Sequence, residues 1–159
     1  MIAVLMGGLS GEREISFLTG EACLKALQKR GYKVKKIDAK GDFIEELKKL
    51  KPKLVFNALH GRYGEDGFTQ FILESLKIPY THSVVIASSL AMDKELSRII
   101  FKKNKIKVKK YFLLKKNYKK NLKRKIKSKK IKFPIVIKPI NEGSSIGVYI
   151  CKNNSEFKR

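Results

Sequence analysis

With 159 residues and 43% hydrophobic content, the chain can bury about 70% of the surface its unfolded form exposes. No apolar run approaches the ~20 residues of a membrane helix, no secretory signal precedes the first apolar run, and Cys23 and Cys151 show no metal-ligand spacing, so the expectation is a cytoplasmic protein with reduced thiols and no membrane insertion. The formal net charge is +23, from 37 Lys and Arg against 14 Asp and Glu, and the question is whether it marks a partner.

Residues 2–6, "IAVLM", form a continuous apolar run suited to a strand buried on both faces. The turn "GGLSGERE" (7–14) follows and opens a helix. A glycine-rich turn in that place usually seats phosphate on free backbone N–H groups. Glu12 and Glu14 would repel a phosphate by several kcal/mol at low effective dielectric, the scale on which they would attract a cation. A local explanation is a cap by Ser10 with acids complementing the helix dipole; the functional one is a seat for an ammonium group. The spacing predicts a helix over 12–30 with Ile15, Leu18, Ala22 and Ala26, and also Cys23 and Leu27, on its inner face, stopped by Gly31.

A second strand is expected over 33–38, a short amphipathic helix over 42–50 ended by Pro52, and a third strand over 53–59. "NALHGRYGEDG" (57–67) lies past that strand's carboxyl end, where open α/β sheets bind ligands. There His60 stands beside Arg62, Glu65 and Asp66, although Glu65-Asp66-Gly67 could equally be the cap of the next helix. A helix over 68–77 and a short fourth strand over 78–80 complete an α/β alternation with a largely parallel sheet.

After Met92 the pattern shifts. A helix is expected over 93–103 with Asp93 as cap and Lys94 just inside, then a strand over 109–114, a Lys-rich helix or loop over 117–130, and a strand over 133–140. The loop "NEGSSIG" (141–147) leads into a strand over 148–151 that starts a hairpin. That sheet edge would be left unpaired, so the chain reads as the front part of a longer one. Residues 1–92 carry 14 basic and 10 acidic side chains, whereas 93–159 carry 23 and 4. Thirty-one of the 37 basic residues are lysine, set among Ile and Asn, as an A/T-rich genome would produce. Nucleic-acid readers favour arginine and interleaved aromatics, so the run is read as a solvated basic surface and nucleic acid is not the expected partner. Lys138 stands in an otherwise apolar strand, where an unpaired ammonium is costly, so it needs an anionic partner or an open cleft. Gly143, Ser144, Ser145 and Gly147 then supply backbone N–H groups and hydroxyls that suit a triphosphate, unless the segment is only a hairpin turn with an exposed lysine.

"GGLSGEREIS", "NALHGRYGEDG", "IPYTHS…AMDK" and "IVIKPINEGSSIG", in this order and spacing, closely resemble the D-alanine–D-alanine ligases of the ATP-grasp superfamily. The resemblance implies an α/β fold: an N-terminal parallel-sheet pre-ATP-grasp domain over 1–92, followed by an incomplete α+β ATP-grasp subdomain over 93–159. It implies that Glu12 holds the ammonium of the first D-alanine, that His60 lies near the same substrate, and that Lys94 and Lys138 contact ATP phosphates. Gly143, Ser144, Ser145 and Gly147 would form the loop that closes over those phosphates, Ser144 also orienting the substrate end. One D-alanine carboxylate is phosphorylated by ATP with Mg²⁺, and the amine of a second D-alanine attacks the acyl phosphate. D-alanine and ATP are thus the implied ligands, a homodimer is possible, and the metal ligands are expected outside this chain, which should not ligate by itself. A D-alanine–D-lactate type ligase, a non-catalytic remnant and a basic nucleic-acid-binding module are the competing readings. Val84 departs from the family's usual glycine, and would be strained there if the position needed a positive φ.

Overall fold

The computed structural model describes residues 1–114 and 122–158. Strand β1 (Ile2–Met6) is central, hydrogen-bonded in parallel to β2 (Val34–Asp38) on one side and β3 (Leu54–Asn57) on the other. The register brings Met6 level with Asp38, and Leu5 level with Asn57, so the turns after all three strands open at one edge. Period-two alternation splits the core between two faces. Ala3 and Leu5 pack with Ile37, Phe43, Leu47, Val55 and Leu73, whereas Val4 and Met6 pack with Ala58 and against Phe17, Leu24 and Leu27. Helix α1 (Arg13–Lys29) covers the Met6 side; α2 (Phe43–Leu50) and α3 (Phe68–Ser75) bury Phe43, Leu47, Ile72 and Leu73 on the other.

The buried face of α1 is only partly the one the apolar spacing predicts: Leu27 packs against the core, but Ala22 and Ala26 are exposed. Ser16 and Gly20 are buried, while Ile15 is 42% and Leu18 70% exposed. The reason is close approach: a Cβ built on Gly20 would stand 2.7 Å from the Cβ of Met6, so the helix meets the sheet through its small residues. Residues 78–80 likewise fall short of a strand. Tyr80 makes a single isolated parallel bridge to Val55, and Pro79 has no N–H to extend it.

Helix α4 (Val85–Met92), which the sequence reading left out, runs into α5 (Lys94–Lys103). Asp93 caps α5 as expected, its Oδ1 accepting from the N–H groups of Glu95 at 2.8 Å and Leu96 at 2.9 Å. Val84 is extended, with φ −65° and ψ 165°, so a branched side chain there is unstrained; the left-handed conformation falls on His82, at φ 95°. Residues 109–114 form no strand. Of the expected helix or loop over 117–130, residues 117–121 lie outside the described residues, and α6 (Leu122–Ser128) occupies most of the remainder. Strands β4 (Ile135–Ile137) and β5 (Tyr149–Cys151) pair antiparallel across the "NEGSSIG" loop, a hairpin shorter than the expected 133–140 strand. Among the described residues no helix is long and apolar enough to cross a membrane.

Candidate functional site

The turn after β1 spends its glycine amides internally. Gly7 N–H donates to Ser16 Oγ at 2.9 Å, and that hydroxyl donates to Ala58 O at 2.7 Å, tying the first turn of α1 to the end of β3. Gly8 N–H donates to Asp38 Oδ1 at 3.3 Å. Asp38 also takes both terminal nitrogens of Arg13, at 2.8 and 2.6 Å, while the guanidinium lies 4.6 Å over the Phe17 ring. These amides are therefore not waiting for a phosphate.

Hydrogen bonds from Arg13, Lys40 N–H and Gly8 N–H hold the Asp38 carboxyl well below the usual carboxylate range, against burial, which pushes it up. A folded value below the unfolded one adds stability that is present above the unfolded value, near pH 4, and is lost as pH falls towards the folded one. Asp38→Asn should therefore flatten the acid limb of a Tm-against-pH curve between about pH 4 and 2. An acid limb unchanged in that variant would show that this pair does not couple folding to protons.

Glu12 stands at the N-cap position of α1, yet its carboxylate caps nothing there. It is only 2% exposed, and Oε2 accepts a hydrogen bond from the Ser144 hydroxyl, 132 residues away. Oε1 is buried with no partner among the described residues. Two glycines make the room it occupies: a Cβ on Gly61 would stand 2.5 Å from Oε1, and one on Gly143 2.8 Å. An ionised oxygen buried without a donor is costly unless something cationic or N–H-bearing completes it.

His60 joins this seat through the backbone. Ser10 Oγ accepts Glu12 N–H at 3.1 Å and donates to His60 O at 2.8 Å. The imidazole pairs through Nε2 with Thr19 Oγ1 at 2.9 Å, and its Nδ1 lies 3.8 Å from Glu65 Oε1. Glu65 and Asp66 also serve their own turn: Glu65 accepts from Gly61 N–H and Asp66 from the N–H groups of Tyr63 and Phe68, while the N-cap of α3 is Gly67 with no side-chain cap bond, so only Asp66 reaches the helix start. Asn57 fixes the loop: its Oδ1 accepts from Leu59 N–H at 3.1 Å, and its Nδ2 meets Gly64 O at 2.9 Å and His82 Nδ1 at 3.1 Å. Burial pulls His82 below the ordinary histidine value, and nearby His60 adds to this against the carboxylate of Glu65.

Lys94 reaches from the start of α5 to the second hairpin, donating to Ile140 O at 3.0 Å and to Glu142 O. Burial lowers its pKa first, the like charges of Lys138 and Arg98 lower it further, and Glu142 and Glu12 act in the opposite sense. Lys138 itself is exposed, sits one residue past β4, and makes no ion pair among the described residues. The loop after it closes on Ile146 N–H to Gly143 O at 2.9 Å and Val148 N–H to Ser145 O at 3.2 Å, with Ser144, Ser145 and Gly147 all at positive φ. A Cβ on Gly147 would stand 2.9 Å from Pro139 Cγ.

The structure thus brings Glu12 to the Ser144 loop, links His60 to Glu12 through Ser10, and puts Lys94 beside Lys138. Thr19, Gly61, Asn57 and the Arg13–Asp38 pair escaped the sequence reading. Only the strand-end position of "NALHG" and the arginine beside Glu12 hinted at any of them.

A family model described as "D-ala D-ala ligase C-terminus" matches residues 100–159. The D-alanine–D-alanine ligase of Pelagibacter ubique is 54% identical over 99% of this chain and 52% of its own length; that of Wolbachia pipientis wMel is 47% identical over 98% and 48%. Among solved structures, the D-alanine–D-alanine ligase of Bacillus anthracis superposes with a TM-score of 0.81 at 36% identity, covering 99% of this chain and 51% of that one. A structure of the Bacillus anthracis enzyme complexed with ATP gives 0.71 at 32% identity, covering 99% of this chain and 52% of its own. The chain spans about half the length of the curated relatives it matches. Over nearly its whole length it is similar in sequence and fold to the D-alanine–D-alanine ligases of the ATP-grasp superfamily.

Proposed function

We propose that the chain supplies the first-amino-acid seat and part of the nucleotide phosphate site of an ATP-dependent D-alanine–D-alanine ligase acting in the cytoplasm on peptidoglycan precursors. The observation that carries this reading is the buried Glu12 carboxylate, with one oxygen held by Ser144 and the other unpartnered. Oε1 receives the D-alanine ammonium. The Ser144 hydroxyl fixes the carboxylate's orientation, and the His60 loop closes the same pocket. An acidic seat recognises an amine and rejects a phosphate, so the nucleotide belongs a short way off, on the lysines.

ATP fits what this chain offers at Lys94, Lys138 and the 143–147 loop. Burial first, and then the like charges of Lys138 and Arg98, pull Lys94 below the ordinary lysine value, and phosphate charge would offset both effects. The amides of Ser144, Ser145 and Gly147 take no part in the loop's turn bonds, which leaves them as donors to phosphate oxygens. When bound, ATP supplies the phosphoryl group that activates the D-alanine carboxylate. Residues 1–92 form the amine-binding part on this reading, and 93–159 the phosphate-binding part. Among the described residues no group of three or more His, Cys, Asp or Glu stands together, and the Mg²⁺ ligands are proposed, from the family resemblance, to lie outside this chain. Dimer formation is proposed from the family resemblance alone.

Calorimetric titration with each ligand tests the reading. Lys138→Met should weaken ATP binding about tenfold, the loss of one exposed charge-assisted contact, and leave D-alanine binding unchanged. Equal weakening of both ligands, or of D-alanine alone, would overturn the division between the two sites.

A further inference from the structure

A separate cleft of about 200 Å³ opens at the carboxyl ends of β1, β2 and β3, formed by the turns at Gly7–Ser10, Ala39–Gly41 and Leu59–Gly64. Neither Glu12 nor Lys94, Lys138 or Ser144 lines it. It shares with the amino-acid seat only the Ser10 turn and His60. With the sheet order β2-β1-β3, the cleft sits where chain connections leave β1 to either side, the place where open α/β sheets leave room for a ligand.

Two properties of its wall define the occupant. The first is charge. Lys40 and Arg62 are its cationic side chains among the described residues, with His60 and Tyr63 beside them, and no carboxylate is among the lining residues, although Glu65 Oε1 lies 3.8 Å from His60 Nδ1. The acids nearest in sequence have partners of their own: Asp38 takes Arg13, Asp42 accepts from Glu45 N–H, Asp66 from the N–H groups of Tyr63 and Phe68, and Glu65 from Gly61 N–H, with Glu65 also facing His60. The second is an aromatic shelf left open to solvent. Tyr63 is 43% and Phe68 49% exposed, their rings packed edge to face at 5.4 Å, with the Arg62 guanidinium 5.8 Å over Tyr63. Buried Phe43 contributes to the apolar floor. Exposed aromatic surface beside Lys40 and Arg62, which make no ion pair among the described residues, suits a ligand with an apolar body and one negative charge.

We infer that this cleft binds a small aromatic monocarboxylate, its ring on Tyr63 and Phe68 and its carboxylate between Lys40 and Arg62. The site adjoins the proposed D-alanine seat, sharing Ser10 and His60 with it, but uses neither Glu12 nor Ser144. An α-ammonium would meet Lys40 and Arg62 and no lining carboxylate, so a free amino acid is disfavoured there.

The test is a titration of the ¹⁵N-labelled chain with 3-phenylpropanoate, followed by the amide signals of residues 7–10, 39–43 and 59–69. Two controls separate the contributions: 3-phenylpropanol has the ring without the charge, and acetate has the charge without the ring. The inference expects saturable shifts confined to those turns, at least tenfold weaker binding of either control, and about fivefold weaker binding in each of Lys40→Ala and Arg62→Ala, roughly the effect of one screened ion pair. Both side chains are exposed, so the variants keep the fold. No saturation by 10 mM overturns the inference, as does equal binding of the alcohol, or equal shifts along Lys94–Lys103, which would mean attraction to the general basic surface.

Discussion

Glu12→Gln should lower the affinity for D-alanine about a hundredfold while leaving ATP binding within twofold and the melting temperature unchanged or raised. The three readouts separate because the carboxylate acts against stability and for binding. Its Oε1 is buried with no donor among the described residues, so the free protein bears the cost of desolvating a charge that none of them completes. Glutamine keeps the shape and removes the charge, which relieves the free state. In the complex the same change replaces a charge-assisted hydrogen bond to an ammonium with a neutral one, and offers that cation an NH₂ donor in one of its two orientations. Charge-assisted bonds contribute about 1.5–3 kcal/mol, so a hundredfold loss, near 2.7 kcal/mol, lies within their range. A merely structural Glu12, holding the 143–147 loop through Ser144, predicts the reverse: a lower melting temperature with ligand affinities falling together. Site-resolved melting and titration of the same variant distinguish the two.

Gly20→Val should destabilise the chain by about 3 kcal/mol, at the upper end of the usual overpacking range and a large fraction of the stability of a small domain. The mechanism is specific. Met6 is fully buried in the central strand, and the added Cβ would lie 2.7 Å from its Cβ and Cε and 3.0 Å from its Sδ. The thioether can swing aside, but the Met6 Cβ is fixed by the strand, so the helix must lift. Gly20→Ala sets the same clash against the ~1 kcal/mol by which alanine favours a helix over glycine, and should come out mildly destabilising. Met6→Ala in the same chain should recover part of the valine penalty, a coupling that distant positions do not show. An alanine variant more stable than the parent by the full helix-propensity gain would mean that α1 does not lie on the sheet at this point. The consequence reaches the site, because α1 carries Glu12, the Ser16 hydroxyl that holds Gly7 and Ala58, and Thr19 against His60.

The same helix shows where sequence reasoning stops. Its existence and limits were legible from the cap region, the run of helix formers and Gly31. Its inner face was legible only in part: Leu27 packs on the Met6 side as the spacing has it, but Phe17 and Leu24 do so too, Ser16 and Gly20 leave no hydrophobic signal, and Ile15 and Leu18 mislead by their composition. Strands β1 and β3 were legible for the opposite reason: buried strands must be apolar, and their turn residues announce themselves, whereas β2 buries only Ile37 and leaves Lys35 and Lys36 exposed. Helix α4 was invisible because "VIASSLAM" starts with two β-branched residues and Val84 gives it no side-chain cap. The strand expected over 109–114 rested on apolar content with no pairing partner to use it, and Tyr80 gained one bridge in place of a strand. For the site, residue types and loop positions marked Glu12, His60, Lys94, Lys138 and the glycine-serine loop, whereas their mutual placement depends on tertiary contacts. The Glu12–Ser144 hydrogen bond joins positions 132 apart, and no periodicity carries that information. The Arg13–Asp38 pair, which arranges the turn, is equally non-local.

The most direct test of the account is where D-alanine lands on the ¹⁵N-labelled chain. An acidic amine seat built by Glu12, Gly61 and Gly143 predicts saturable amide shifts at residues 10–16, 59–61 and 143–144, absent in Glu12→Gln and undiminished in Lys138→Met. Shifts centred instead on Lys94 and Lys138, or persisting unchanged without the Glu12 charge, would contradict it.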